Sequence, residues 1–345
     1  MNRLLDNFNR ILVITKFAYL GDTIVATPFL RELHKAAPQA SITLLAGPGV
    51  PALMQGCPWL QEVIPYNRKK SGGFCKNAEL IRSIRAGSYN AVFVLNRSLH
   101  SAFVTAAAGV PMRIGFNTEY RGPLLTVRVA YDWNQPEWAS NLDLLKNVGV
   151  DPEDGLPELW ISQEEREAAR AMLASHGVNP ASLLITIHPG VHDPETRSWR
   201  SDRFAQVADR LIRERKARII ITGTSEERET AEQMAREMRF TPIQLAGETT
   251  LRQTMALISL SRLWLGNDGG MLHTAVALGT GTVGIYNPAK YARWAYHSSV
   301  HISLVSQDNI ISKRHSDLRK SLDAIGTGTV FKACCDVLDM PVERI

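Results

Sequence analysis

The hydrophobic positions fall into short unbroken runs separated by longer stretches of helical spacing. Ile11-Leu12-Val13-Ile14-Thr15, Ile42-Thr43-Leu44-Leu45, Val63-Ile64-Pro65-Tyr66 and Ala91-Val92-Phe93-Val94-Leu95 are four such runs, and Arg113-Ile114-Gly115-Phe116 opens a fifth. Runs of this length predict strands buried on both faces. Between them, residues 23–37 set Ile24, Phe29, Leu30 and Leu33 on one side, with Pro28 marking a start or a bend. Residues 77–85 and 98–108 predict further helices. Strands alternating with helices predict a parallel sheet covered on both faces.

The alternation then repeats. A helix is expected over 137–148, and Gly149 to Pro157 is the best linker. Ser162-Gln163-Glu164-Glu165 is a capping box that opens a helix to about His176. Strands are expected at 183–188, 217–222, 243–245 and 282–286, with helices at 202–215, 226–238, 251–259 and 329–338. The predicted class is α/β, two doubly wound Rossmann-like domains whose ligand loops lie at the carboxyl ends of the strands and face a cleft.

Composition narrows the class. At 345 residues and 45% apolar content the chain suits two globular domains. The cysteines Cys57, Cys75, Cys334 and Cys335 show no zinc or redox spacing, which suits a reduced cytoplasmic protein. No apolar run approaches the ~20 residues of a membrane span. Residues 1–150 carry 16 Lys and Arg against 9 Asp and Glu; residues 151–345 carry 23 against 25. A basic first half suits an acidic partner or a solvated surface alike.

The stretch 263–279, an apolar run followed by Asn267-Asp268-Gly269-Gly270 and an Ala-rich helix, holds the most chemistry. A strand, a glycine turn and a helix start make a seat for a phosphate or diphosphate, here through the N–H groups of Gly270, Met271 and Leu272. Asp268 suits either a ligand contact or a cap. His273 suits the site or a hydrogen-bonded core. Arg197 suits a diphosphate oxygen or plain solvent. Glu226 and Glu227 suit a ribose or a helix's first turn. Thr249-Thr250 is a fourth loop at that edge. In the first half Asp22 suits a general base or a helix cap. The basic loop Arg68-Lys69-Lys70 suits acceptor phosphates, an anionic membrane or solvent.

In this order the motifs resemble the heptosyltransferases, the inverting family 9 glycosyltransferases related to ADP-heptose:lipopolysaccharide heptosyltransferases. The resemblance is carried by Gly21-Asp22-Thr23 through Thr27-Pro28, Arg197-Ser198-Trp199, Leu245-Ala246-Gly247-Glu248-Thr249-Thr250-Leu251 and Asp268-Gly269-Gly270-Met271-Leu272-His273. It covers nearly the whole chain. It implies a GT-B fold, with an acceptor domain at 1–155, a nucleotide-sugar domain at 156–328 and a C-terminal helix at 329–345 packing back on the first domain. It also implies that Asp22 is the catalytic base and that Arg197, replacing a lysine, contacts the donor diphosphate. Glu226 or Glu227 would hold the ribose, and Thr249 and Leu251 would line the adenine pocket. Asp268 with the amides from Gly270 to Leu272 would bind sugar and diphosphate. Gly269 replaces the usual Ser or Thr.

The implied reaction is metal-independent transfer of heptose from ADP-heptose to the lipopolysaccharide core. The enzyme would be cytoplasmic and peripheral on the inner membrane, with an anionic glycolipid acceptor and no nucleic-acid partner. No Asp-x-Asp occurs to suggest a metal clamp. The competing readings are the same fold with a UDP- or GDP-linked sugar, and a nucleotide-binding module that has lost catalysis. A nicotinamide oxidoreductase is disfavoured, because no Gly-x-Gly-x-x-Gly follows the first strand of either half.

Overall fold

A computed structural model describes residues 8–67, 74–306 and 315–341. The chain divides into two compact units, Met1–Pro157 and Glu158–Ile345. The first unit holds strands β1 (Arg10–Ile14), β2 (Ser41–Ala46), β3 (Glu62–Pro65), β4 (Ala91–Val94), β5 (Met112–Phe116) and β6 (Val127–Val129). The second holds β7 (Leu184–His188), β8 (Arg218–Ile221), β9 (Ile243–Gln244), β10 (Leu263–Asn267), β11 (Gly281–Tyr286) and β12 (His301–Val305).

Both sheets are parallel and share one strand order. The first runs β3-β2-β1-β4-β5-β6, and the second runs β9-β8-β7-β10-β11-β12. Each unit therefore winds outward from its first strand, returns, and winds the other way. That reversal opens a crevice at the carboxyl ends of the central pair, β1 with β4 and β7 with β10. The central strands are apolar because helices cover both faces: Ile11, Val13, Ile14, Val92 and Phe93 are fully buried, as are Ile185, Ile187, Leu263 and Leu265.

Pro28 acts as its ring dictates. The expected helix over 23–37 divides into Leu20–Ile24 and Thr27–Ala36, with Pro28 in the second helix's first turn, where a missing N–H costs nothing. The expected linker is not a free tether. Glu32, 4% exposed, accepts from the Glu153 backbone N–H at 3.1 Å, and Lys35 bridges Glu32 and Glu153 at 3.0 and 2.9 Å.

The last helix, Thr327–Asp339, belongs to the second unit. Val330, Phe331, Ala333, Cys334 and Val337 are buried in the core of the second unit, against the helix Ser201–Arg215 and β11. Gly281 makes the fit possible: a Cβ there would meet Val337 Cγ1 at 2.6 Å. Each such aliphatic or Phe side chain contributes about 1.5–3 kcal/mol through burial.

The edge strand β12 was not expected, because its pattern mixes polar and apolar residues. It carries His301, 3% exposed and 3.1 Å from Thr282 Oγ1. Burial lowers the His301 pKa from 6.5 to about 4. The unfolded chain thus binds a proton between those values that the folded chain refuses. This contribution to stability is complete above pH 6.5 and is lost as pH falls toward 4. The loss from this group is expected to total on the order of 3 kcal/mol. Urea melts at pH 7, 5.5 and 4 check it: His301→Gln should flatten the slope, and an unchanged slope would remove His301 as its source.

Candidate active site

In the second unit the loops after β7 and β10 meet at the crevice. Asn267, 2% exposed, ties them together. Its Oδ1 accepts the Trp199 backbone N–H and its Nδ2 donates to the Pro189 carbonyl, both at 2.8 Å. Trp199 is held at its other end, where Nε1–H donates to the Ile325 carbonyl at 3.1 Å. Arg319 donates to the Ser198 carbonyl at 3.0 Å. The segment Arg197-Ser198-Trp199 is thereby fixed independently of any ligand.

Arg197 is brought onto Asp268. Its Nη2 donates to Asp268 Oδ2 at 2.9 Å and also to the Asp268 carbonyl, while Nε is buried without a partner among the described residues. The pair is a cation and an anion at the helix start, with part of the guanidinium fork unspent. The helix Gly270–Ala277 follows. Leu272 corrects the expected set of open amides, since its N–H is bonded to the Gly269 carbonyl at 3.1 Å. The N–H groups of Gly270 and Met271 have no acceptor among the described residues. Gly269 is extended, and a Cβ there would touch nothing closer than 3.8 Å, so a Ser or Thr would fit.

His273 adopts the core reading. It is 3% exposed, its Nδ1 lies 2.8 Å from Tyr296 Oη, and its ring packs on Trp294. Burial, reinforced by the charge of Asp268, pushes the Tyr296 phenol far above its ordinary pKa, so it stays a hydroxyl.

The two glutamates after β8 separate. Glu226 is exposed and accepts from Ser225 Oγ at 3.2 Å. Glu227 turns inward, accepting the Thr224 N–H at 2.8 Å and facing His188 Nε2 at 3.4 Å. Burial works to raise its pKa, but the His188 hydrogen bond and charge and the Thr224 N–H outweigh it and hold Glu227 at about 2. Gly190 makes room for this: a Cβ there would lie 2.6 Å from Glu227 Cδ. The next loop turns at Gly247, whose φ of +75° suits glycine. Thr249 shares a 2.8 Å hydrogen bond with Thr254, Leu251 is partly exposed, and Thr250 caps the helix Leu251–Leu260.

In the first unit Asp22 does not cap its helix. The N-cap position belongs to Tyr19, and the Asp22 carboxylate is instead held by Lys16 Nζ at 2.5 Å. Both lie after β1. Asn96, after β4, closes the crevice by donating to the Thr15 carbonyl at 2.9 Å. A second carboxyl stands near: Glu137, 5% exposed, accepts from Tyr131 Oη at 2.8 Å. Burial raises its pKa, the positive charges of Lys16 and Arg97 oppose this, and the charge of Asp22 adds to it. Arg121 is fully buried. It donates to the carbonyls of Phe116 at 2.7 Å and Asn96 at 2.5 Å, and burial lowers its pKa to about 10. The candidate acceptor residues Arg68, Lys69 and Lys70 lie outside the described residues.

Sequence reasoning missed Lys16, Asn96, Glu137, Asn267 and Asn287. Asn96 and Asn287 had a readable signal, since each is the first polar residue after an apolar run, as Asp268 nearly is. Asn287, 4% exposed, donates to the Thr196 carbonyl at 3.0 Å, and its Oδ1 is buried without a partner among the described residues. Glu137 had none: an acid at a helix start looks like a dipole partner.

Comparison with known proteins agrees with this architecture. The family model "Glycosyltransferase family 9 (heptosyltransferase)" matches residues 77–321. The chain is 27% identical over 300 residues to lipopolysaccharide heptosyltransferase 2 of Escherichia coli K12, covering 81% of this chain and 83% of that one. The crystal structure of a family 9 glycosyl transferase from Veillonella parvula superposes with a TM-score of 0.86 at 24% identity, covering 98% and 99% of the two chains. The E. coli structure described as ADP-heptose lps heptosyltransferase II superposes with a TM-score of 0.77 at 24% identity, covering 95% and 98%. The fold is α/β of the GT-B class, and the chain belongs to glycosyltransferase family 9, the heptosyltransferases.

Proposed function

We propose that this glycosyltransferase moves a heptose from ADP-heptose to a hydroxyl of an anionic lipopolysaccharide core acceptor, with inversion. The observation that carries the reading is the Asp22–Lys16 pair at the carboxyl edge of the first sheet, in a chain of this family. The names of its relatives, which include lipopolysaccharide heptosyltransferase 2 and an ADP-heptose enzyme, support the donor and acceptor.

In this mechanism Asp22 accepts the proton of the attacking hydroxyl as its oxygen bonds to the anomeric carbon. Lys16 holds the carboxylate in place. The bond from that carbon to the diphosphate oxygen breaks, and ADP takes the electron pair. The N–H groups of Gly270 and Met271 and the guanidinium of Arg197 face the negative charge that develops on the leaving diphosphate, where such donors stabilise developing charge most. No metal enters the proposal. Asp268 orients Arg197 and contacts the sugar, Glu227 holds the ribose hydroxyls, and Thr249 and Leu251 line the base. Work would take place at the cytoplasmic face of the inner membrane, with Arg68, Lys69 and Lys70 meeting the anionic glycolipid.

Calorimetry with ADP, UDP and GDP, followed by mass spectrometry of transfer from ADP-heptose to a heptose-deficient core glycolipid, tests the proposal. Selective ADP binding with a product one heptose heavier is the expected result. Selective UDP or GDP binding would overturn the donor assignment.

A further inference from the structure

Arg97 follows β4 at the first unit's crevice, directly after Asn96. Its guanidinium carbon lies 4.3 Å from the Tyr131 ring centroid and 4.6 Å from that of Trp133. These rings meet edge to face at 4.8 Å, so the cation sits in the notch between them. Stacking of this kind fixes the plane of a guanidinium and leaves its N–H edge unspent. No hydrogen bond or ion pair to Arg97 is formed among the described residues, and its Nη1 is buried without a partner.

The surroundings favour an anion. Arg121 is close enough for the two positive charges to oppose each other, and its Nη2 is also buried without a partner among the described residues. Two carboxylates act through space: Glu119 offsets part of the charge of Arg121, and Glu137, which already accepts from Tyr131, reaches Arg97. Arg97 is an oriented fork with donors still unspent, the arrangement that takes an incoming negative group. Trp133 is 65% exposed, so the notch opens to solvent and offers an apolar face beside the cation.

We propose that Arg97, set by Tyr131 and Trp133, is an anion subsite that binds a carboxylate or phosphate of the acceptor beside Asp22. The assignment rests on the transferase reading above. It makes Arg97 a specificity residue, selecting acceptors by charge at a fixed distance from the attacking hydroxyl.

Trp133 reports on its own notch. Tryptophan fluorescence of the full chain would be titrated with inorganic phosphate and, separately, with gluconate, and the signal assigned by subtracting Trp133→Phe. A saturable millimolar response to phosphate, gluconate or both is expected, and which probe responds identifies the anion. Arg97→Gln should weaken it by about tenfold or more, and Arg97→Lys by less, since charge remains but the fork is lost. In transfer assays Arg97→Gln should raise the acceptor KM by a similar factor and leave ADP affinity unchanged. No response in the wild-type protein, or an equal response in Arg97→Gln, would overturn the subsite. Failure of the transferase reading shows separately, as absence of transfer in a wild-type protein that still binds the anion.

Discussion

Asp22→Asn is expected to lower the transfer rate by about 10²–10⁴-fold, the range over which a positioned general base acts. The substitution keeps shape and removes the carboxylate proposed to take the acceptor proton. It also removes the charge that Lys16 Nζ holds at 2.5 Å. The proposed donor contacts lie on other loops, so ADP titration should give the wild-type constant. Single-turnover transfer measured beside calorimetry makes the comparison. A rate within a few-fold of wild type would show that Asp22 only pins Lys16, and Glu137 would be the carboxyl to examine next.

Asn267→Ala is expected to have the largest effect on stability. Asn267 is 2% exposed and serves two buried backbone groups, the Trp199 N–H and the Pro189 carbonyl. Leaving both unpaired costs about 2–5 kcal/mol, or roughly 5–15 °C in Tm for a unit of this size. Asn267→Asp separates the two bonds, because it still accepts from Trp199 but cannot donate to Pro189. Differential scanning calorimetry should place it between wild type and alanine, with ADP affinity falling in the same order. A melting temperature unchanged in Asn267→Ala would mean that the loops hold themselves.

The doubly wound class was legible because buried parallel strands are nearly uniform in polarity. Ile11–Thr15 and Ala91–Leu95 could hardly be read otherwise. The edge strands β6 and β12 were not, since a strand packed on fewer sides keeps polar residues such as Arg128 and Ser303. The loops carrying Asp22, Arg197 and Asp268 were readable as positions. What they touch was not, because hydrogen bonds across a crevice leave no periodicity. Arg197 reads as a free arginine until β10 places Asp268 beside it. His273 shows the limit most plainly: its spacing from Asp268 fits a ligand motif, while its partner Tyr296 lies 23 residues further on.

The seating of Thr327–Asp339 in the second core bears on how the protein is made. Met1–Pro157 has β1 to β6 on hand once Pro157 emerges from the ribosome, so it can fold while synthesis continues. The second unit cannot close its core until Val330, Phe331, Cys334 and Val337 arrive, after the last of its strands named above. For most of that interval the apolar faces of β10 and β11 stay uncovered. A ribosome stalled before Thr327 would therefore carry one finished half and one sticky half, and that nascent chain is the form with most need of a chaperone.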